Sequence, residues 1–564
     1  MVEPRQVRIG DLLKEYGYLN DEQLQKALVH QREQDIRLGQ AVIDLGFVTE
    51  KEVLRALSHK TGIPLISFEN VPIDMNIVGK VPRELAYSAT AIAVGEENGV
   101  VNLVVNDPLN FFAINEIEQV VGGPIKLFIG EKASIEGAIR QYYAEVEAKA
   151  AIGKVNQQQS LLFPEIEDMN TVDIGDDTTP VVGLLNSLLI RGYNIGASDL
   201  HLEPFDKVCK VRMRVDGALI DYAEIQKNVH PALIVRLKIM SNLDIAEKRL
   251  PQDGHFRIGI EGIDLNIRLS VIPTVYGEKA VLRFLSTNTA IDHAGHFGMI
   301  DADFEKFMQI LAHPNGIIYI TGPTGSGKTT TMYMALERFK ERTVNISSIE
   351  DPVEKNIDGI NQVQVNTMAG LTFGVGLRSL LRQDPDIIMV GETRDAETAS
   401  ISVSAAITGH LVISTLHTND ALTSVVRLED MGVPPYLVGN SVVGLVAQRL
   451  VRKVCEHCKE RYAPTDLDLI TLRASREQVP QVVRGKGCHI CNQTGYKGRI
   501  AIHEIVLVDK KMQRLIAEGA LQSAIYEYAR KEAGMKTLRE RAQTLVLDGV
   551  TSMEEYLKIG ETVD

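Results

Sequence analysis

Apolar residues recur every three or four positions from Met1 to about Thr61, a period that predicts helices. From Val71 to about Tyr143 short strand-like runs mix with helical ones. The run AIAVGEENGVVNLVV predicts a hairpin turning near Glu97–Gly99, which makes this part α/β. Residues 145–178 contain NQQQS and the acidic, apolar-poor MNTVDIGDDTT, the composition of a linker. Between Pro180 and about Ser286 a helix, VVGLLNSLLIRGYNIG, precedes the alternating runs KVRMRVDGALI, GIDLNIRLSVI and KAVLRFL, predicting half-exposed antiparallel strands in a small α+β domain. After about residue 310, buried-type strands (GIIYI, TVNISSIE, DIIMVG, HLVISTL) alternate with helical stretches, the pattern of a parallel sheet with crossover helices. The tail beyond Ile500 reads as mainly helical. The expected organisation is a multidomain α/β chain: an N-terminal domain over 1–145 with repeats at 8–60, a linker over 146–178, the α+β domain over 179–286, a phosphate-loop domain over 287–454, a cysteine region over 455–500 and a helical region over 501–564.

A length of 564 residues agrees with several domains of about 100–150 residues each. With 45% hydrophobic and 24% charged residues the composition is that of a folded chain. No apolar run approaches the roughly 18 residues that span a bilayer, and MVEPRQVRIG lacks a signal-peptide core, so a cytosolic protein with peripheral membrane contact is expected. A net charge of −14 argues against a broad grip on nucleic acid. A nucleic-acid translocase would need a basic channel with stacking aromatics, and the Trp-free chain shows no such stripe.

Residues 322–329 read GPTGSGKT, preceded by the strand GIIYIT and followed by the helical TTMYMALERFK: a phosphate loop in its required setting. Gly322, Gly325 and Gly327, with Pro323, Thr324, Ser326 and Thr330 around them, let backbone N–H groups face phosphate oxygens. Lys328 supplies charge for the β- and γ-phosphates and Thr329 a hydroxyl for Mg²⁺, so ATP or GTP with magnesium is the expected ligand. Glu392 ends the run DIIMVGE where a metal-side carboxylate belongs. Glu350 and Asp351 of IEDPVE stand at another strand end, where one carboxylate can polarise water. His410 and His417 flank the strand LVISTL and are expected near the γ-phosphate. A nucleotide switch without turnover is the competing use of such a site.

In this order GPTGSGKT, IEDPVE, RQDPDIIMVGETRD and GHLVISTLHTNDA resemble the Walker A, acidic, atypical Walker B and histidine boxes of the secretion ATPase superfamily. More narrowly, the chain resembles the type IV pilus extension and type II secretion ATPases (PilB/GspE) along its length. The resemblance implies a RecA-like ATPase domain after a PAS-like domain, with Glu350 and Glu392 as catalytic and metal-side carboxylates. It further implies a hexamer driving an inner-membrane platform protein. Alternation in KVRMRVDG puts Arg212 and Arg214 on one strand face and Val211, Met213 and Val215 on the other. The resemblance implies that arginines of this domain reach a neighbouring subunit's γ-phosphate, with Arg268 and Arg283 as lesser candidates.

Four of the five cysteines form CEHC and CHIC, Cys455/Cys458 and Cys488/Cys491, the paired knuckles of a tetrahedral Zn²⁺ site. His457 and His489 are then bystanders, and Cys209 is a buried strand residue. Retraction ATPases typically lack both this insertion and the long N-terminal region, so the resemblance implies an extension or secretion type.

The first 60 residues repeat themselves: RIGDLLKEYGYLNDEQLQKALVHQ at 8–31 returns as RLGQAVIDLGFVTEKEVLRALSHK at 37–60. Each unit predicts a helix, a Gly stop and a second helix opened by a capping box, Asn20/Gln23 and Thr49/Glu52. Packing alone explains the leucines. It does not explain an Arg-apolar-Gly at both helix starts, where N–H groups suit an anion and a guanidinium suits a base. Two such sites fit a two-fold ligand such as cyclic di-GMP, and the repeats resemble the MshE-type N-terminal domain, whose tandem R-L-G…Q motifs bind it. The residues carried over are Arg8, Ile9, Gly10 and Gln31, then Arg37, Leu38, Gly39 and Lys60, with Asp107. Ile9 stands for Leu and Lys60 for Gln, and Lys donates but cannot accept.

Overall fold

The computed structural model describes residues 8–34, 36–66, 73–157, 180–260, 262–285, 299–340 and 343–560. It forms two compact units, divided between Leu285 and Ser286.

The repeats fold as two helix pairs, α1 (Ile9–Glu15) with α2 (Asp21–Gln34) and α3 (Leu38–Asp44) with α4 (Glu50–Thr61). Gly17 and Gly46, at φ +73° and +68°, turn the chain between the helices of each pair. Asn20 and Gln23 exchange backbone-to-side-chain bonds of 3.0 and 2.8 Å, and the Glu52 carboxylate accepts from the Thr49 amide at 2.7 Å. The buried set obeys the same duplication: Leu12, Leu13, Leu24 and Ala27 answer Ala41, Val42, Val53 and Ala56.

There follow α5 (Met75–Val78), α6 (Arg83–Ala89), β1 (Ala91–Glu97), β2 (Val100–Val105), α7 (Phe111–Val121), β3 (Ile125–Ile129) and α8 (Lys132–Gln157). The expected hairpin is β1–β2, turning at Asn98 and Gly99, both with positive φ. The long α8 continues through the first part of the span read as linker, because Ala151 and Ile152 pack on the next domain's core and Glu145 pairs with buried Arg191 at 2.7 Å. Residues 158–179, the remainder of that span's low-apolar stretch, lie outside the described residues.

That domain consists of α9 (Pro180–Asn194), β4 (Ala197–Pro204), β5 (Val208–Val215), β6 (Ala218–Gln226), α10 (His230–Met240), β7 (Gln252–Ile260), β8 (Ile263–Thr274) and β9 (Gly277–Leu285). Its sheet, ordered β6-β5-β4-β9-β8-β7, is antiparallel throughout. Leu200, Leu202, Val211, Met213 and Leu282 form one apolar face under α9 and α10. Cys209 is buried on that face, its sulfur 3.2 Å from His230 Nδ1, and burial pushes the thiol up to about 12.

The second unit begins with α11 (Asp301–Leu311), β10 (Gly316–Thr321), α12 (Lys328–Phe339), β11 (Ile346–Glu350), β12 (Asn361–Gln364), α13 (Phe373–Leu380), β13 (Ile387–Val390), α14 (Ala396–Ile407) and β14 (Leu411–Leu416). It continues with α15 (Thr423–Asp430), α16 (Pro435–Ser441), β15 (Val442–Val454), β16 (Lys459–Tyr462), α17 (Asp466–Leu472), β17 (Val482–Gly485) and β18 (Tyr496–Leu507). Four helices end it: α18 (Lys510–Ala517), α19 (Gln522–Lys531), α20 (Leu538–Leu547) and α21 (Met553–Lys558). The sheet runs β12-β11-β13-β14-β10-β15-β18, parallel except for β18. The four strands expected from apolar runs are its centre. The helical reading of the tail is corrected at its start: residues up to Leu507 are a sheet strand. Its pattern was hidden because His503 and Glu504 are polar yet buried between Ile502 and Ile505.

Candidate functional site

The site forms where β10, β13 and β14 end together, at the carboxyl edge of the parallel sheet. Thr321 closes β10, and the loop reaches α12 through Gly322, Gly325 and Gly327 at φ +147°, +80° and +88°, a backbone that side chains other than hydrogen oppose. The loop is also wedged against β15. A Cβ on Gly322 would stand 2.4 Å from the Gln448 carbonyl oxygen, and one on Gly327 would stand 2.9 Å from Gln448 Nε2. The Gln448 side chain donates to the Ser326 carbonyl at 2.9 Å and accepts from Thr331 Oγ1 at 2.7 Å. Sequence reasoning missed this residue, whose one signal is a glutamine inside the buried run VVGLVAQRLV.

Pro323, Thr324, Gly325 and Thr330 are exposed, and Thr329 is half-buried in the first turn of α12. Lys328 Nζ, buried, donates to the carbonyls of Gly322 and Pro323 at 2.8 and 3.1 Å. Burial lowers its pKa to about 8 against the pull of Glu392. The Ser326 hydroxyl is buried with no partner among the described residues. A charged lysine and an orphaned hydroxyl under a ring of glycines suit a phosphate chain.

Glu392 follows β13, its segment tied to β14 by Thr415 Oγ1 donating to the Gly391 carbonyl at 2.8 Å. Its carboxylate meets Arg394 Nε at 2.6 Å and lies 3.6 Å from His417 Nε2. Burial and neighbouring Lys328 hold His417 below its ordinary pKa. The loop after His417 is pinned to the end of β10, with Thr418 N donating to Thr321 Oγ1 at 2.8 Å. Lys328, Glu392 and His417 thus act on one another. Glu350 ends β11, three strand spacings or about 14 Å from β10. It is buried, and its carboxylate accepts from Tyr333 Oη, Ser348 Oγ and Gln362 Nε2 at 2.5, 2.6 and 3.0 Å. Asp351 beside it is exposed.

His410, expected at the γ-phosphate, lies instead at the opposite sheet edge. It precedes β14, its carbonyl accepts from Gly316 N at 3.1 Å, and its Nδ1 bonds the Ala405 carbonyl at 2.9 Å. The six residues of β14, about 20 Å, separate it from His417. A strand has two ends, and only its direction in the sheet says which one carries the chemistry.

In the antiparallel domain Arg214, Asp199, Arg283 and Arg268 form one rung across β5, β4, β9 and β8. Asp199 pairs with Arg283 at 2.9 Å and Arg214 at 3.7 Å. Arg212, off that rung, is held by Asp221 at 2.7 Å and Glu203 at 3.4 Å. Arg268 is exposed and has no ion-pair partner among the described residues. The face alternation is as expected, but the cation least neutralised is Arg268, not Arg212.

The four thiols of Cys455, Cys458, Cys488 and Cys491 converge, all within 4.8 Å of one another. The pairs 455/488 and 458/491 are each 3.8 Å apart, close to the edge of a tetrahedron with metal–sulfur bonds of about 2.3 Å. No disulfide joins them. His457 is exposed outside the thiol group, and the side chain of His489 lies outside the described residues.

At the amino end, Arg8 and Arg37 occupy the N-cap positions of α1 and α3, and Arg37 pairs with Asp107. Ile9 and Leu38 are half-buried, as are Gln31 and Lys60 near the ends of α2 and α4. Gly10 and Gly39 serve packing as well: a Cβ would meet Leu24 at 2.9 Å in the first repeat and Val53 at 3.1 Å in the second.

Against known proteins, the family described as "Type II/IV secretion system protein" matches residues 175–558, and the MshEN domain matches residues 61–149. The chain belongs to the type II/IV secretion system protein family. It is 37% identical over 556 residues to the type IV pilus assembly ATPase PilB of Myxococcus xanthus, covering 98% of each chain. To PilB of Thermus thermophilus it is 40% identical over 499 residues, 88% of this chain but only 56% of that protein's length. It is 40% identical to the Pseudomonas aeruginosa type II secretion protein HxcR over 85% of this chain and 98% of that one. The ATPase DotB of Legionella pneumophila, at 21% identity, shares the fold with TM-score 0.51 over 66% of this chain and 94% of that one. This family member is an ATP hydrolase with a RecA-like core. The MshEN match begins just where the repeats end. Among the described residues no helix is long and apolar enough to cross a membrane.

Because free Lys328 loses its proton near pH 8 and a bound phosphate chain requires the charge, nucleotide affinity is full below that pH. Above it, affinity falls by about tenfold per pH unit, and K328R, which stays charged, flattens this limb. Titration of a magnesium–ATP analogue from pH 7 to 10 at constant ionic strength checks this.

Proposed function

We propose that this ATPase works as a hexamer that powers assembly of a type IV pilus or a type II secretion pseudopilus, moving an inner-membrane platform protein from its cytoplasmic side. What carries the reading is the convergence of Lys328, Glu392 and His417 at one sheet edge in a chain of this family. The relatives include both pilus and type II secretion ATPases, so the reading spans both systems.

In this reading the loop amides, Ser326 and Lys328 bind the phosphates of ATP, and Thr329 and Glu392 would hold Mg²⁺, which supplies charge neutralisation at the transferred phosphoryl group. His417, neutral at physiological pH, hydrogen-bonds the γ-phosphate region. Glu350 polarises the attacking water after its carboxylate exchanges the Tyr333 and Ser348 bonds for that water. Arg268 and Arg283, with Arg214 beside them, complete a neighbouring subunit's site, because Asp199 neutralises only one charge of that rung. The thiol cluster binds one structural Zn²⁺.

The N-terminal domain binds cyclic di-GMP, a reading supported by the MshEN match and by the paired N-cap arginines. Arg8, Ile9, Gly10 and Gln31 contribute from one repeat, and Arg37, Leu38, Gly39 and Lys60 from the other. Asp107 orients Arg37.

Glu350→Gln is expected to lower kcat by about 100-fold or more while leaving ATP affinity within threefold. Equal loss of both would make Glu350 a structural residue of the site and not the group that polarises water. Elemental analysis is expected to find one zinc per chain, absent from Cys458→Ser. Calorimetric titration of cyclic di-GMP is expected to saturate with the parent protein and to fail with Arg8→Ala and Arg37→Ala. No heat with a folded, ATP-hydrolysing protein would leave the repeats a packing unit.

A further inference from the structure

Beyond Ala447, which pairs with Thr321 at the end of β10, strand β15 runs on beside the phosphate loop. Gln448 turns its side chain toward Ser326 and Thr331 of the loop and α12, and Leu450 lies against Gly327 on the same side. Strand alternation sends Arg449 to the other face. There its Nη2 reaches the carbonyl and the Oδ1 of Asn419, at 3.4 and 3.2 Å, two residues after His417.

The remaining surroundings of Arg449 do not balance its charge. The side chain is half-buried, yet no carboxylate lies within ion-pair distance among the described residues. Burial lowers its pKa, with Asp420 opposing from farther away, and its own charge is felt by Lys328. Three other arginines of this unit are matched by carboxylates: Arg452, three positions along the same strand, pairs with Glu554 and Glu555, Arg394 with Glu392, and Arg378 with Glu397. A partly desolvated guanidinium on two long bonds, facing a second cation, is unfavourable until an anion joins them.

We propose that Arg449 binds the phosphate chain of the nucleotide in cis, opposite Lys328, and through Asn419 makes the position of the histidine loop depend on that occupancy. The ligand class is a nucleoside di- or triphosphate, which the planar fork of arginine can hold by two parallel bonds. The inference rests on the reading of the phosphate loop as the ATP site and adds a residue to it that the motif does not contain.

The test uses full-length protein with Mg²⁺ and fluorescent ATP and ADP analogues. R449Q is expected to weaken ATP binding about tenfold or more. A change below threefold in ATP affinity, in a folded protein, overturns the proposal. Should R449Q not fold, R449K decides by the same threefold threshold, because lysine keeps the charge and loses the fork. K328A run alongside separates the two readings. If it too leaves ATP binding unchanged, the phosphate-loop assignment fails; if it abolishes binding while R449Q does not, only the role of Arg449 fails.

Discussion

The nucleotide site depends on the close approach of β15 to the phosphate loop. The Gln448 carbonyl occupies the place where any side chain at Gly322 would begin, and its amide spans Ser326 on the loop and Thr331 on α12. Glycine is required here twice over, by backbone torsion and by contact, so the loop has little freedom to relax. The same strand continues to Val454 and delivers Cys455 to the thiol cluster, while Arg452 on it binds Glu554 and Glu555 of α21. Phosphate loop, thiol cluster and C-terminal helices therefore hang on one strand.

On the other side of β10, the histidine loop is held by polar contacts deep in the unit. Thr418 shares hydrogen bonds with Thr321 and Ser424, and buried Glu504 on β18 accepts from the amides of Ala421 and Leu538. Burial raises the Glu504 carboxyl to about 7. As its folded-state pKa lies above the unfolded value, its contribution to stability is greatest in acid and is lost as pH rises through about 7. A carboxylate in that position costs stability, but it fastens the loop carrying His417 to the start of α20. The start of α20 and the histidine loop therefore share one buried carboxyl group.

The duplicated phrase at the amino end has a packing explanation for most of its letters. Buried residues repeat at matching places, and the repeated glycines admit Leu24 in one pair and Val53 in the other. The arginines are not accounted for in this way: they stand exposed at the N-caps, and Arg37 is directed by Asp107 from outside the repeats. The part of the phrase that packs and the part that faces solvent are separable, residue by residue.

What the sequence determined by itself were features encoded within a few residues: the glycine loop with its flanking strand and helix, the hairpin at Asn98–Gly99, the capping boxes, and the cysteine knuckles whose spacing already implies a shared ion. Family motifs added the order of the acidic and histidine boxes. Tertiary structure alone decided which end of β14 carries chemistry, setting His417 at the site and His410 at the far edge. It also hid β18 behind two buried polar residues, brought Gln448 to the phosphate loop from 122 residues away, and gave Arg212 two carboxylates while Arg268 has no ion-pair partner among the described residues. Each of these depends on strand order, direction and register, which join residues distant in sequence and leave no period or motif in the local chain.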